Sequence, residues 1–499
     1  AMGNFQEYMD EFEAHPRLIG GCIWDWVNQS IRAKEGPDGL AKAAPFTGDY
    51  FAYGGLFGDR PTQHDFCDNG VIFSDRRESA KLREVKKVYQ YLRFRKIVEK
   101  NGEVEFSILN KYFHKTLEGA VAYAFVTGEG VDKALQTQSF ELPAMKPGED
   151  AKISVKIPES MDDRGILIMV CDGANVPAEL IKERNLAAAE RECIAFDFFQ
   201  SPQTIPALPK ADGKLDVQAS GMNATIKGQD FSLEFKNGLP ASFVYRGTKL
   251  LDGDDAFDFT IFRAPIANDK WMKERDKESI GGIRAVCKSF ETEVKDGVFT
   301  ANASYEAEGG KVKLSWKTEW TVYPDGTVRM NNKFPVFKAN LVLPRLGFVF
   351  DLPADFRNVE YLGYGPHENY CDRKTSAWFD VFRDTVEGMI EPYTKTQSYG
   401  NRTGTRFVEL FNKDGVGLRV ESRDLNGFEF TASPWTEIEI NDAGPRCRLP
   451  DANAKTILHI DAFQTGLGGA SCGPRPLAKY IMPSPIPIHF DFTFRPFQK

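Results

Sequence analysis

Two hydrophobic patterns divide this chain, and they change over near residue 93. In NFQEYMDEFEAHP, Phe5, Tyr8, Met9 and Phe12 recur at i, i+3, i+4 and i+7, one apolar face of a helix. Asn4 followed three residues on by Glu7 predicts a capping box at its start. Pro16 excludes the helical region for His15 and predicts the stop. Residues 19–24, IGGCIW, predict a short buried strand, and a polar loop with Gly and Pro follows over 33–49. A second helix is predicted over 78–92, with Leu82, Val85, Tyr89 and Leu92 on its apolar face. Residues 1–92 therefore read as α/β material, but only a piece of an α/β domain.

Beyond Phe94 the period becomes two. VEFSILNKY, VAYAFVTGEG, KISVKIPES, RGILIMVCD and CIAFDFFQ alternate apolar and polar positions with turn residues between them, which predicts an immunoglobulin-like β-sandwich over 93–201. PAELIKERNLAAAERE reads as a short helical excursion within it. Residues 202–213 are Pro-rich with few aliphatics and read as a linker. From 214 to 499 strand patterns dominate, among them ATIKGQDFSLEFK, KVKLSWKTEWTVYP, RLGFVFDL, KTILHIDAFQ and PIHFDFTFRPF. Asn237-Gly238 and Asp325-Gly326 fall between such runs, where those dipeptides supply positive φ. The predicted fold class is mainly β: a remnant of a barrel-like α/β domain, a small sandwich and a large antiparallel sandwich.

Composition narrows the function classes. The 499 residues are 42% hydrophobic and 27% charged, with a formal net charge of −8. That balance supplies real cores and argues against nucleic acid or an anionic membrane as the main partner. No apolar run approaches the ~20 residues of a membrane span. The eight cysteines contain no CxxC pair and read as free, mostly buried thiols.

Three stretches carry candidate chemistry. In GGCIWDWVNQ, Trp24 and Trp26 are two apart and share a face, so the stretch is either a core strand or an aromatic platform for a sugar. YGGLFGDRPTQHDFCDNGVIFSDR gathers His64, Asp65, Asp68 and Asn69 in a glycine-rich loop, a donor set that suits a hard cation better than zinc. LGYGPHENYCDR carries His367-Glu368 without the second histidine of a metallopeptidase helix, and reads as a rigid structural turn. No GxSxG, P-loop or strand-borne GxGxxG occurs, and spacing alone nominates no catalytic carboxylate pair.

Together these stretches resemble one family, the large β-galactosidases of glycoside hydrolase family 2. RLIGGCIWDWVNQSI is similar to the family's last barrel strand, and YFAYGGLFGD with DFCDNGVIFSDR to the loop and segment after it. FRAPIANDKW, LGYGPHENYCDR and LHIDAFQTGLGGASCG resemble the family's final, galactose-mutarotase-like sandwich, in order and at compatible spacing.

The resemblance implies a retaining two-carboxylate hydrolase of terminal β-D-galactosides. It also implies that this chain corresponds to the C-terminal half. The family's nucleophile motif, Glu-Tyr-x-His-Ala-Met-Gly-Asn, overlaps residues 1–4, so both catalytic glutamates are expected upstream of residue 1 and none within the chain. Trp24 matches the family's apolar wall for galactose. The Phe66 carbonyl and Asn69 match its sodium ligands near the sugar. The magnesium ligands are expected upstream, in the full-length enzyme. Where the best-known members stack a tryptophan on the second sugar, this chain has Gly-Gly-Ala-Ser-Cys-Gly-Pro, with Cys472 near that position.

Expected partners are a β-galactoside, the N-terminal half of the enzyme and, as in the family, further copies of the chain. The expected compartment is the bacterial cytoplasm or periplasm. The alternative is a non-catalytic carbohydrate-binding or structural sandwich module.

Overall fold

Period-two alternation becomes sheet throughout the chain beyond residue 91. The computed structural model describes residues 2–33, 50–131, 135–271, 280–309, 312–336, 342–469, 475–482 and 486–499. In strand Val312–Val322 alternate residues are buried, which is the signature of one face on a core and one on solvent. Among the described residues, nine strands order Val286–Lys295, Val298–Gly309, Val312–Val322, Val328–Phe334, Ile488–Gln498, Val416–Ser422, Phe407–Phe411, Asn358–Gly365 and Trp378–Thr385 into one antiparallel sheet. A five-stranded sheet, with Arg345–Leu352 and Thr456–Gln464 adjacent, shares its core. A meander over 216–252 adds a second five-stranded sheet to the same cluster.

Aromatic rings fill that core. Phe257 lies 4.9 Å from Phe350 and 6.0 Å from Trp320 between ring centroids, within the range of favourable tilted and edge contacts. The buried polar tips are paired: Trp320 Nε1 donates to the Tyr305 hydroxyl at 2.8 Å, which donates to the Gly238 carbonyl at 2.6 Å. Asn237 and Gly238 both take positive φ (50° and 74°), as a tight hairpin requires.

The smaller sandwich packs the sheet Leu92–Lys100, Glu103–Asn110, Asp150–Lys156 against the sheet Gln138–Glu141, Val121–Gly128, Arg164–Cys171, Ala195–Gln200. Phe106, Ile108, Ala122, Ile153 and Ile166 meet between them. One expectation fails here. Cys171 and Cys193 are not free thiols but a disulfide, with Cα atoms 4.4 Å apart. The helices Ala178–Lys182 and Leu186–Glu192 return the chain so that Ile194 N–H donates to the Val170 carbonyl, and this register sets the two cysteines side by side. Sequence spacing could not show it, because the return is made by the fold.

The start of the chain is different. Helix α1, Phe5–Ala14, forms as its periodicity predicts, yet none of its residues is buried. The expected capping box is absent: Asn4 takes φ 49° and its side chain caps nothing. Glu7 instead reaches out of the helix to Lys479, at 2.8 Å, and to the Tyr480 hydroxyl. Residues 19–24 form no strand, and Ile19 is 103% exposed. A β-strand needs a hydrogen-bonded neighbour, and among the described residues none runs beside 19–24.

The second helix, α2, spans Ala80–Val88, shorter than expected, and is capped by Ser79 accepting from Lys81 N–H at 3.1 Å. Its buried face is also not the one read from apolar spacing. It carries Ala80, Lys81, Glu84, Val85, Lys87 and Val88, while Tyr89 is exposed and Leu92 already belongs to a strand.

Candidate functional site

The stretches 25–29 and 67–72 run side by side and hold the first two motifs together. Asp25 N–H donates to the Asn69 carbonyl at 3.1 Å, Val71 N–H to the Asp25 carbonyl at 2.9 Å, and Gln29 N–H to the Cys67 carbonyl at 2.9 Å. Gly70 sits inside this pairing. A Cβ there would lie 2.0 Å from the Asn28 nitrogen, so only glycine permits the approach. Trp24 is thus one residue from the hydrogen bond that ties its segment to Asn69.

Trp24 is 76% exposed and lines a cleft of about 1520 Å³ with Met2, Gly3, Phe12 and Ile23. On the other flank Asp25, Asn28 and Gln29 line a second cleft of about 1110 Å³, bounded by Arg76, Arg77 and Arg446. An exposed indole on a cleft wall is what an aromatic sugar platform needs and what a core strand would bury.

Phe66 lies on the short 3-10 turn His64–Cys67, and Asp68 and Asn69 follow it. The Ser30 hydroxyl donates to Asp68 Oδ1, while Asp68 Oδ2 and Asn69 Oδ1 are buried without a hydrogen-bond partner. Burial pushes the Asp68 carboxyl up to about 6, and neighbouring Asp65 adds to the rise. Both orphaned atoms are hard oxygen donors, the type that suits an alkali or alkaline-earth cation rather than zinc. Among the described residues no three His, Cys, Asp or Glu side chains converge as a metal cluster. Cys472 lies outside the described residues.

Helix α2 fastens this loop to both sandwiches through its buried polar face. Lys81 Nζ donates to the Gly70 carbonyl, directly after Asn69, and burial pulls its pKa down to about 8. Glu84 accepts from Thr375 N–H at 3.2 Å, Ser376 N–H at 2.9 Å and the Ser376 hydroxyl at 2.7 Å. Lys87 pairs with Asp197 of the small sandwich at 3.0 Å. Sequence reasoning missed these three because lysine and glutamate on a helix usually face solvent. The available signal was that Lys81, Val85 and Val88 repeat at i, i+4 and i+7.

LGYGPHENYCDR ends at Arg373, just before the Thr375 and Ser376 that Glu84 holds. Gly365-Pro366 is a cis peptide. Buried Glu368 pairs with Arg373 and accepts from the Tyr393 hydroxyl at 2.6 Å and Gly400 N–H at 2.8 Å. His367 bonds the Ser376 hydroxyl at 2.9 Å, and burial, with Arg402 and Arg373 nearby, pulls its pKa down to about 3. A neutral, enclosed His367 holds a turn in place, as the absence of HExxH implied. FRAPIANDKW is likewise an anchor: buried Arg263 pairs with Asp269 at 2.9 Å and reaches the Thr465 carbonyl.

An exposed indole and an oxygen-rich loop thus stand together near the start of the chain, braced by a large β-sandwich. Comparison with known proteins makes that specific. Residues 1–94 match the family model "Glycosyl hydrolases family 2, TIM barrel domain", and residues 227–494 match "Beta galactosidase small chain". The chain belongs to this β-galactosidase family of glycoside hydrolase family 2.

It is 28% identical over 506 residues to a β-galactosidase of Halalkalibacterium halodurans, covering 99% of this chain and 47% of that protein. It is 29% identical over 467 residues to a β-galactosidase of Lactobacillus delbrueckii subsp. bulgaricus, covering 92% of this chain and 42% of that protein. The chain therefore spans about half the length of the curated relatives it matches. A galactose 1-epimerase structure from Lactobacillus acidophilus aligns at 8% identity, over 60% of this chain and 99% of its own, with a TM-score of 0.34. No helix among the described residues is long and apolar enough to cross a membrane.

Proposed function

We propose that this chain provides the sugar-facing wall and the bracing sandwiches of a retaining β-galactosidase that hydrolyses terminal β-D-galactosides. The observation that carries the reading is the pairing of 25–29 with 67–72, which sets an exposed Trp24 beside an Asn69 whose side-chain oxygen has no partner. Trp24 offers its indole face to the apolar face of galactose, an interaction that orients the ring and excludes water.

The Phe66 carbonyl and Asn69 Oδ1 would hold a sodium ion. A bound sodium supplies fixed positive charge toward a sugar hydroxyl, and the orphaned oxygens of Asp68 and Asn69 fit that demand. Both catalytic glutamates, and the magnesium ligands, belong to sequence preceding residue 1. On this reading the chain alone does not turn over, since each carboxylate serves a step the other cannot.

The test is release of nitrophenol from an aryl β-galactoside by the purified chain, alone and after mixing with an N-terminal half from a relative. No activity alone and activity on mixing is expected. Turnover by the chain alone, above a contaminant control, sinks the proposed division of labour. Failure of the two halves to associate favours an independent carbohydrate-binding module.

A further inference from the structure

The large sandwich reaches into the barrel edge at one carboxylate, Asp372, and its position carries an inference of its own. In a β/α barrel, the residues that lead into a helix form a loop on the face where strands end and chemistry occurs. Residues 2–4 lead into α1, and Met2 and Gly3 line the same cleft as Trp24 and Gly469. They therefore stand at the mouth of the proposed sugar site.

Asp372 grips that loop from two sides. Its backbone carbonyl accepts from Asn4 N–H at 2.6 Å. Its carboxylate accepts from Leu467 N–H at 2.9 Å (Oδ1) and Gly468 N–H at 2.7 Å (Oδ2). The Gly468 carbonyl in turn accepts from Gly3 N–H at 3.0 Å. The carboxylate thus orders the 467–468 turn, and that turn orders the backbone at Gly3.

Space around the carboxylate is tight. A Cβ on Gly3 would lie 2.1 Å from Asp372 Oδ2, and a Cβ on Gly466 would lie 2.7 Å from it. Contacts below 3.0 Å cannot persist, so both glycines are the room this carboxylate occupies. Helix α1 has a separate anchor one turn further on, where Glu7 meets Lys479 and Tyr480. Asp372 is therefore not what holds the helix; it sets the loop before it.

The structure assigns Asp372 as a positioning residue for the active-site mouth: the large sandwich uses it to fix residues 2–4 relative to Trp24. The catalytic consequence rests on the β-galactosidase reading above, whereas the clamp does not.

Two measurements test it. In the 499-residue chain, Asp372→Ala should speed amide exchange at Leu467, Gly468 and Gly3 by about tenfold or more. Amides from Met9 onward should keep their rates, because Glu7 still holds the helix. Gly3→Ala, which evicts the carboxylate, should free the Leu467 and Gly468 amides in the same way.

In the assembly with an N-terminal half, Asp372→Ala should lower kcat about 100-fold, the scale of an ångström of misplacement. KM should change less than about twofold, because Trp24 is untouched, and Asp372→Asn should recover part of kcat by keeping one of the two acceptors. Unchanged exchange at Gly3 and Gly468 overturns the clamp. Faster exchange with unchanged kcat, or with the loss confined to KM, overturns the positioning role. A wild-type assembly without galactosidase activity overturns the catalytic reading, while the exchange result still decides the clamp.

Discussion

Residues 2–33 and the large sandwich obey the same hydrophobic arithmetic with opposite results. In the sandwich, apolar side chains close on each other: Trp320, Phe257, Phe348 and Phe494 are 0% exposed and stack within one cluster. At the barrel edge, Trp24, Trp26, Ile19 and Leu18 are as apolar and stand 76%, 53%, 103% and 46% exposed. Apolar pattern specifies which face seeks cover; whether cover exists depends on neighbours. The edge has only a small core, where Met2, Phe5, Ile23 and Val27 pack on Val71, Ile72 and Val85, and polar tethers at Glu7, Asp25, Asp372 and Lys81 add to it.

That contrast can be broken most forcefully inside the sandwich. Trp320→Ala removes a fully buried indole and its hydrogen bond to Tyr305, and should cost about 3–5 kcal/mol in denaturant unfolding. Equal loss from any single exposed aromatic of residues 2–33 would contradict the comparison.

Arg345→Met tests whether buried charge behaves like buried carbon. Arg345 is fully buried and pairs with Asp461 at 2.8 Å and Glu437 at 3.0 Å. Removing it strands both carboxylates and should also cost about 3–5 kcal/mol. A double variant that also neutralises Asp461 should recover part of the loss.

A pH series gives a somewhat smaller effect. Burial pushes the Glu429 carboxyl up to about 7, with Asp461 nearby adding to the rise. The folded state then binds more protons than the unfolded one between the ordinary carboxylate value and about 7. Its stabilising contribution is full at low pH and is lost as pH rises through about 7. At ~1.36 kcal/mol per pKa unit the change approaches about 3 kcal/mol. Glu429→Gln should flatten this part of the stability–pH curve, read by thermal melts from pH 4 to 8.

The smallest effect on stability is expected at the site itself. Trp24→Ala should change unfolding free energy by less than about 0.5 kcal/mol. It should, however, weaken galactoside affinity in the assembly with an N-terminal half, measured by titration with a non-hydrolysable galactoside. Amide exchange sharpens the same point: 5–31 should exchange far faster than Val312–Val322, and uniformly slow exchange over 5–31 in a dilute monomer would remove the distinction between the regions.

Much of the site was legible one residue at a time and little of it as a site. Trp24 and Trp26 announced a shared face, and Asp68 and Asn69 an oxygen-rich loop. Their meeting depended on the pairing of 25–29 with 67–72, which no spacing rule foretells across some forty residues. Asp372 looked like one more acid after a turn, because its partners at 467–468 and 3–4 are brought to it only by folding.

Sequence alone determined the periods: the helix Phe5–Ala14 stopped by Pro16, the alternating strands beyond residue 91, and the hairpin at Asn237-Gly238. These are local preferences of backbone and side chain, and here the fold agrees with them. Tertiary structure decided what needs a distant partner. It left 19–24 without a ladder, paired Cys171 with Cys193, turned the charged face of Ala80–Val88 inward and set Asp372 against the loop before the first helix. Burial, hydrogen-bond satisfaction and disulfide geometry are properties of pairs, and the chain fixes its pairs only by folding.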